Sequence, residues 1–119
     1  MFIADYATIL NITPDHLERH GTLNNYIRAK FKLIKNQGRS GLAFLNTKNL
    51  YIKNEIKKNK INSKIIRVNK KVDSRFIDKI NNVFFQSEGN KENLSFVIEI
   101  SKKLNIKKEN LLKNLKRFN

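Results

Sequence analysis

Apolar residues along the chain fall in short runs, separated by polar stretches rich in turn-forming residues. Tyr6-Ala7-Thr8-Ile9-Leu10 is apolar, partly β-branched and bounded by Asn11 and Pro14, which predicts a buried parallel strand. Thr13 suits the N-cap of a helix whose first position is Pro14, with Asp15 and His16 in its first turn and Gly21 interrupting it. A second helix is predicted over residues 22–34, which sets Tyr26 and Lys30 one above the other at i and i+4.

Further along, Leu42-Ala43-Phe44-Leu45 reads as a short buried strand ending in Asn46. Residues 49–60 read as a polar helix with Leu50, Ile52 and Ile56, and residues 64–68 as another short strand. The pattern leaves residues 72–80 open between helix and loop and favours a strand at Val83-Phe84-Phe85. Residues 90–104 read as a helix with Asn90 as N-cap and Leu94, Val97, Ile98, Ser101 and Leu104 on one side, ended by Asn105. The last helix, 109–118, carries a narrow stripe of Leu111, Leu112, Leu115 and Phe118. These stripes imply core and no cofactor. Strands alternating with helices give an α/β class, a small parallel sheet flanked by helices. There is no internal repeat, and Pro14 is the only proline.

The 119 residues fit one compact unit in length. Composition sharpens this little: there is no cysteine, no long apolar run of membrane-spanning length and no signal-peptide pattern, so a cytoplasmic protein without a membrane is expected. The net charge of +15 ordinarily points to nucleic acid or an anionic membrane surface. However, residues 1–34 hold four basic and three acidic side chains, so the excess lies beyond them, in stretches such as Lys57-Lys58-Asn59-Lys60. Those stretches are rich in Asn and Ile as well as Lys, the trio an AT-rich coding sequence produces. Aromatic residues do not alternate with the lysines as a stacking platform requires, and no nucleic-acid partner is expected.

The chemistry concentrates in Leu10-Asn11-Ile12-Thr13-Pro14-Asp15-His16-Leu17-Glu18-Arg19-His20-Gly21-Thr22, with Tyr26 and Ala29-Lys30 beyond it. Open α/β sheets hold ligands at the carboxyl ends of their strands, which is where Asn11 falls. His16 and Lys30 are then expected to converge on a pocket above the strand. Singly, each residue has a plainer role: Asp15 complements a helix dipole, His16 sits on the surface and Lys30 is solvated. The ordered set is the signal.

That set resembles the Mur ligase family, in the branch that adds D-glutamate to UDP-N-acetylmuramoyl-L-alanine, with its pattern L-N-I-S/T-P-D-H-L-D/E-R-H-G-S/T-x-x-x-Y-x-x-A-K. Other Mur ligases and the folylpolyglutamate synthases share an Asn, a downstream His and the Lys, and differ around Glu18-Arg19-His20. The resemblance implies that His16 is a magnesium ligand and that Lys30 is carbamylated and bridges metal, both serving catalysis. It also implies that Asn11 lines the pocket of the muramoyl substrate and that Asp15 orients the metal's ligands. A carbamate turns a cation into the oxygen ligand a hard metal prefers. The implied reaction is ATP-dependent amide formation through an acyl phosphate, in which positioning and electrostatics carry the catalysis.

A second resemblance lies in Ser87-Glu88-Gly89-Asn90-Lys91-Glu92-Asn93, which is similar to the family's G-x-H-N-x-x-N. It implies that Asn90 and Asn93 approach the adenine of ATP, although Ser87 and Gly89 depart from the pattern. Asn46-Thr47-Lys48-Asn49 stands where the family has N-x-D-D, and Asn46 is expected to do no more than turn the chain. The family's phosphate loop, G-T-N/K-G-K-T, has no counterpart here. The expectation is therefore one partial domain over 1–119, the later half of a central ATP-binding domain, without the amino-terminal UDP-binding and carboxyl-terminal domains. Such a piece is expected to be inactive alone, weakly stable through its open strand edge, and monomeric once full-length. Another Mur ligase or a folylpolyglutamate synthase-like ligase, a small basic nucleic-acid-binding module and a degenerate ligase-like scaffold remain as alternatives.

Overall fold

In a computed structural model, which describes residues 3–13 and 22–118, the first apolar run forms β1 (Tyr6–Ile9). Ala7 and Ile9 are buried while Tyr6 and Thr8 are exposed, the alternation of a strand's two faces. Then come α1 (Leu23–Lys35), β2 (Leu42–Leu45), α2 (Leu50–Lys58) and β3 (Lys64–Arg67). The strands form a parallel sheet in the order β1-β2-β3, with Ala7 opposite Ala43 and Ala43 opposite Ile65. The fold is α/β with a parallel sheet, as the pattern predicts.

Each helix follows from its local sequence. Thr22 Oγ1 accepts from the Asn25 amide at 3.1 Å and starts α1, whose Tyr26, Ile27, Phe31 and Ile34 are buried along one face. Lys32 and Lys35 in the last turn complement the helix dipole. Asn49 caps α2 in the same way, and Ile52 is its fully buried residue. Ala7, Ile9, Ile12, Phe31, Ile34, Leu45 and Ile52 belong to one core beneath these helices.

The chain divides into two compact units at residues 69 and 70. In the second, residues 74–80 of the undecided stretch form α3 (Ser74–Ile80), capped by Asp73. The strand expected at residues 83–85 is not there. Val83–Gln86 is a 3-10 helix, because Asn82 Oδ1 accepts from the Phe84 amide at 3.0 Å and curls the chain, burying Phe85. Two helices follow, α4 (Glu88–Lys103) and α5 (Lys108–Arg117). Asn105, with φ 57°, follows α4 in the left-handed region that Asn tolerates. Phe76, Ile77, Ile80, Phe85, Leu94 and Leu115 form this unit's core. No helix among the described residues is long and apolar enough to cross a membrane.

Candidate functional site

Beyond Ile9 the chain leaves the sheet as Leu10, Asn11, Ile12 and Thr13. Three hydrogen bonds fasten this exit to the turn after β2. The Asn46 amide donates to the Ile9 carbonyl at 3.2 Å, Asn46 Nδ2 to the Leu10 carbonyl at 3.0 Å, and Asn49 Nδ2 to the Ile12 carbonyl at 2.9 Å. Ile12 is buried, whereas Asn11 between the anchored carbonyls is exposed. A fixed backbone carrying an accessible polar side chain at the carboxyl end of a strand is the arrangement a ligand site needs.

Lys30 is exposed on α1, its Nζ 5.6 Å from the centre of the Tyr26 ring. The expected i, i+4 stacking is therefore present, with Tyr26 buried and the ammonium over its face. The remainder of the motif, Asp15 and His16 included, lies outside the described residues, as does the helix expected from Pro14. The convergence of His16 with Lys30 rests on those residues too. Among the described residues no three His, Cys, Asp or Glu side chains gather as metal ligands; both histidines of the chain fall outside them. An ammonium has no lone pair for a metal, so Lys30 fits a magnesium site only as its carbamate. Its exposure leaves the amine open to dissolved carbon dioxide.

In the second unit, Asn90 is not the N-cap of its helix. α4 starts earlier, at Glu88, with Ser87 Oγ accepting from the Asn90 amide at 3.2 Å. Asn90 lies in the first turn, and its Nδ2 donates to the Phe84 carbonyl at 2.8 Å. Asn93, one turn further on, is exposed. An adenine edge needs one donor and one acceptor, which the Asn93 amide carries and the Asn90 amide carries in part, since one of its N–H groups is engaged.

Sequence reasoning opened the polar helix at Asn49 without giving it a cap or a long-range bond, and gave Asn46 only a turn. The turn is real: Asn46 Oδ1 accepts from the Lys48 amide at 3.0 Å. Asn49's spacing of three from Ile52 was a legible cap signal. The donors that reach back to Leu10 and Ile12 span 36 and 37 positions, and no local pattern announces them.

The family model of the Mur ligase middle domain matches residues 1–113 and so runs through both units. The chain is 45% identical over 56 residues to a UDP-N-acetylmuramoylalanine--D-glutamate ligase of Alkaliphilus oremlandii (strain OhILAs), covering 47% of this chain and 12% of that protein. It is 52% identical over 42 residues to the like-named ligase of Phenylobacterium zucineum (strain HLK1), covering 35% and 9%. With that of Desulfitobacterium hafniense (strain Y51) it shares 55% over 38 residues, covering 32% and 8%. The match thus spans 12% or less of the length of these relatives. No solved structure matches the chain.

Proposed function

The chain belongs to the Mur ligase middle domain family, and on that premise we propose that it serves ATP-dependent amide-bond formation in peptidoglycan precursor synthesis, joining D-glutamate to UDP-N-acetylmuramoyl-L-alanine. The name shared by the relatives above supports the choice of amino acid. The observation that carries the reading is the exposed Asn11 on an anchored exit from β1, followed in sequence by a helix that presents Lys30. Asn11 meets the muramoyl substrate there, as an uncharged donor and acceptor for its amide and hydroxyl groups.

His16 and the carbamate of Lys30 hold magnesium in this reading, with Asp15 orienting the imidazole. Magnesium, when bound, offsets the charge of the phosphoryl group in transfer. Asn93 and the remaining hydrogen-bonding capacity of Asn90 address the adenine of ATP. Substrates of this kind place the reaction in the cytoplasm, and nothing in it calls for nucleic acid.

The test is a chimera in which residues 1–119 replace the corresponding stretch of a complete D-glutamate ligase. His16→Ala and Lys30→Ala are each expected to lower kcat by about 100-fold or more, with folding checked by circular dichroism. Full activity in either variant would refute the metal assignment.

A further inference from the structure

The Asn46 and Asn49 side chains each use both ends of their amides. The oxygens do local work: Asn46 Oδ1 closes the turn onto the Lys48 amide, and Asn49 Oδ1 caps α2 at the Ile52 amide, 3.2 Å away. Asp or Ser serves such roles equally well. The nitrogens do something else, holding the Leu10 and Ile12 carbonyls on either side of Asn11 at 3.0 and 2.9 Å. Only a side chain with a donor and an acceptor on one carbon fills both roles, and at neutral pH Asn is the one of that size.

We propose that Asn46 and Asn49 are positioning residues, whose amide nitrogens clamp the backbone on both sides of Asn11 and so hold its side chain in a fixed place for the sugar-peptide substrate. The proposal rests on the reading that Asn11 faces that substrate. The geometry assigns the clamp to the second strand's turn: one backbone and two side-chain donors from residues 46 and 49 hold three carbonyls between residues 9 and 12. Ile12, sealed in the core, supplies the remaining anchor. Asn11 then binds without first ordering its own backbone, whose fixing otherwise costs about 1–2 kcal/mol per residue.

Asn49→Asp separates the two roles. The carboxylate still caps α2 but has no proton to donate, and it sets an oxygen against the Ile12 carbonyl. Asn46→Asp does the same at Leu10; because Asn46 is buried, this variant risks misfolding, and Asn49→Asp is the one that decides. The measurement is the backbone 15N order parameter of Asn11 and Ile12 in the 119-residue chain. The wild type is expected at about 0.85, and Asn49→Asp at pH 7 below its wild-type values at both positions, with residues 52–58 of α2 unchanged.

Acidification to about pH 4 protonates part of the new carboxyl, returns an O–H donor and raises the order parameter of Ile12 relative to wild type at the same pH. A merely structural cap gives no such pH profile. Order parameters at Asn11 and Ile12 that match wild type at pH 7 overturn the proposal, as does equal loosening of α2. Because no substrate enters this measurement, its result stands apart from the ligase reading. That reading fails separately if Asn11→Ala in the chimera leaves the KM for the muramoyl substrate unchanged.

Discussion

Gln37 lies at the other end of the sheet, only 2% exposed, and its side-chain nitrogen is within 2.9 Å of the Leu42 carbonyl, 3.1 Å of Ala4 and 3.4 Å of Asp5. It joins the end of α1 to the starts of β1 and β2. Replacing it by Glu exchanges two N–H donors for a carboxyl group among three carbonyl oxygens. In the protonated form one O–H replaces two donors, which costs about 1 kcal/mol. In the ionised form a buried charge faces only acceptors, so the carboxyl's folded-state pKa rises above the ordinary value of about 4.3.

The sign follows from proton linkage. Between the unfolded and the raised folded pKa, the native state binds more protons than the unfolded one, so stability falls as pH rises, by about 1.36 kcal/mol per unit. It is fully present below about pH 4.3 and lost upward through the folded value. A folded pKa near about 7 removes roughly 3.5 kcal/mol by neutral pH, a large part of a small domain's stability. All three tyrosines, Tyr6, Tyr26 and Tyr51, lie within residues 3–69 and the chain has no tryptophan, so tyrosine fluorescence follows unfolding of the first unit. The assay is urea unfolding of wild type and Gln37→Glu from pH 4.5 to 7.5. A stability difference that stays constant within about 0.5 kcal/mol across that range, too little for the slope worked above, would refute the burial argument.

Gly41 packs against the same side chain: a Cβ there comes within 3.1 Å of Gln37 Cβ and 3.2 Å of its Nε2. Gly41→Ala is therefore expected to destabilise the first unit by about 1–3 kcal/mol in the same urea assay, and a stabilised variant would contradict it. In the second unit, the Arg75 side chain and amide both donate to Asp73 and hold its carboxyl below the ordinary carboxylate range. The capped form of α3 is then favoured above about pH 4 and loses that support as pH falls through the lowered value; a side-chain NMR titration checks it, and a titration at or above the ordinary value refutes it.

Much of the fold was legible because burial and capping are local signals. β1 shows as a β-branched apolar run, α1 as a Thr cap followed by Tyr26, Ile27, Phe31 and Ile34 on one face, and the parallel sheet as strands separated by helices. Val83-Phe84-Phe85 failed for a physical reason. Its residues favour strands, but strand propensity is realised only against a neighbouring strand, and here Asn82 curls the chain instead. The helix expected to start at Asn90 rests on Asn90 being a good cap residue, yet Ser87, three residues ahead, caps instead and the helix carries Gly89 in its first turn.

The candidate site divides along the same line between local and distant information. Lys30 over Tyr26 follows from a spacing of four on a helix, so the sequence alone places one above the other. The anchoring of the backbone around Asn11 depends on bonds that span 36 and 37 positions, whereas the local pattern shows Asn46 only as a turn and Asn49 only as the start of a helix, which are true and incomplete. Asparagine hides such roles well, since its oxygen satisfies a local pattern while its nitrogen remains for a distant one. Asn82 repeats the device in the second unit: its Oδ1 curls the 3-10 helix at the Phe84 amide, while its Nδ2 reaches the Leu115 carbonyl at 3.0 Å. In a chain so rich in Asn, a residue that closes a turn or caps a helix is therefore the first place to look for a second, long-range hydrogen bond. In the first unit that bond fixes the backbone from which the proposed substrate contact is made.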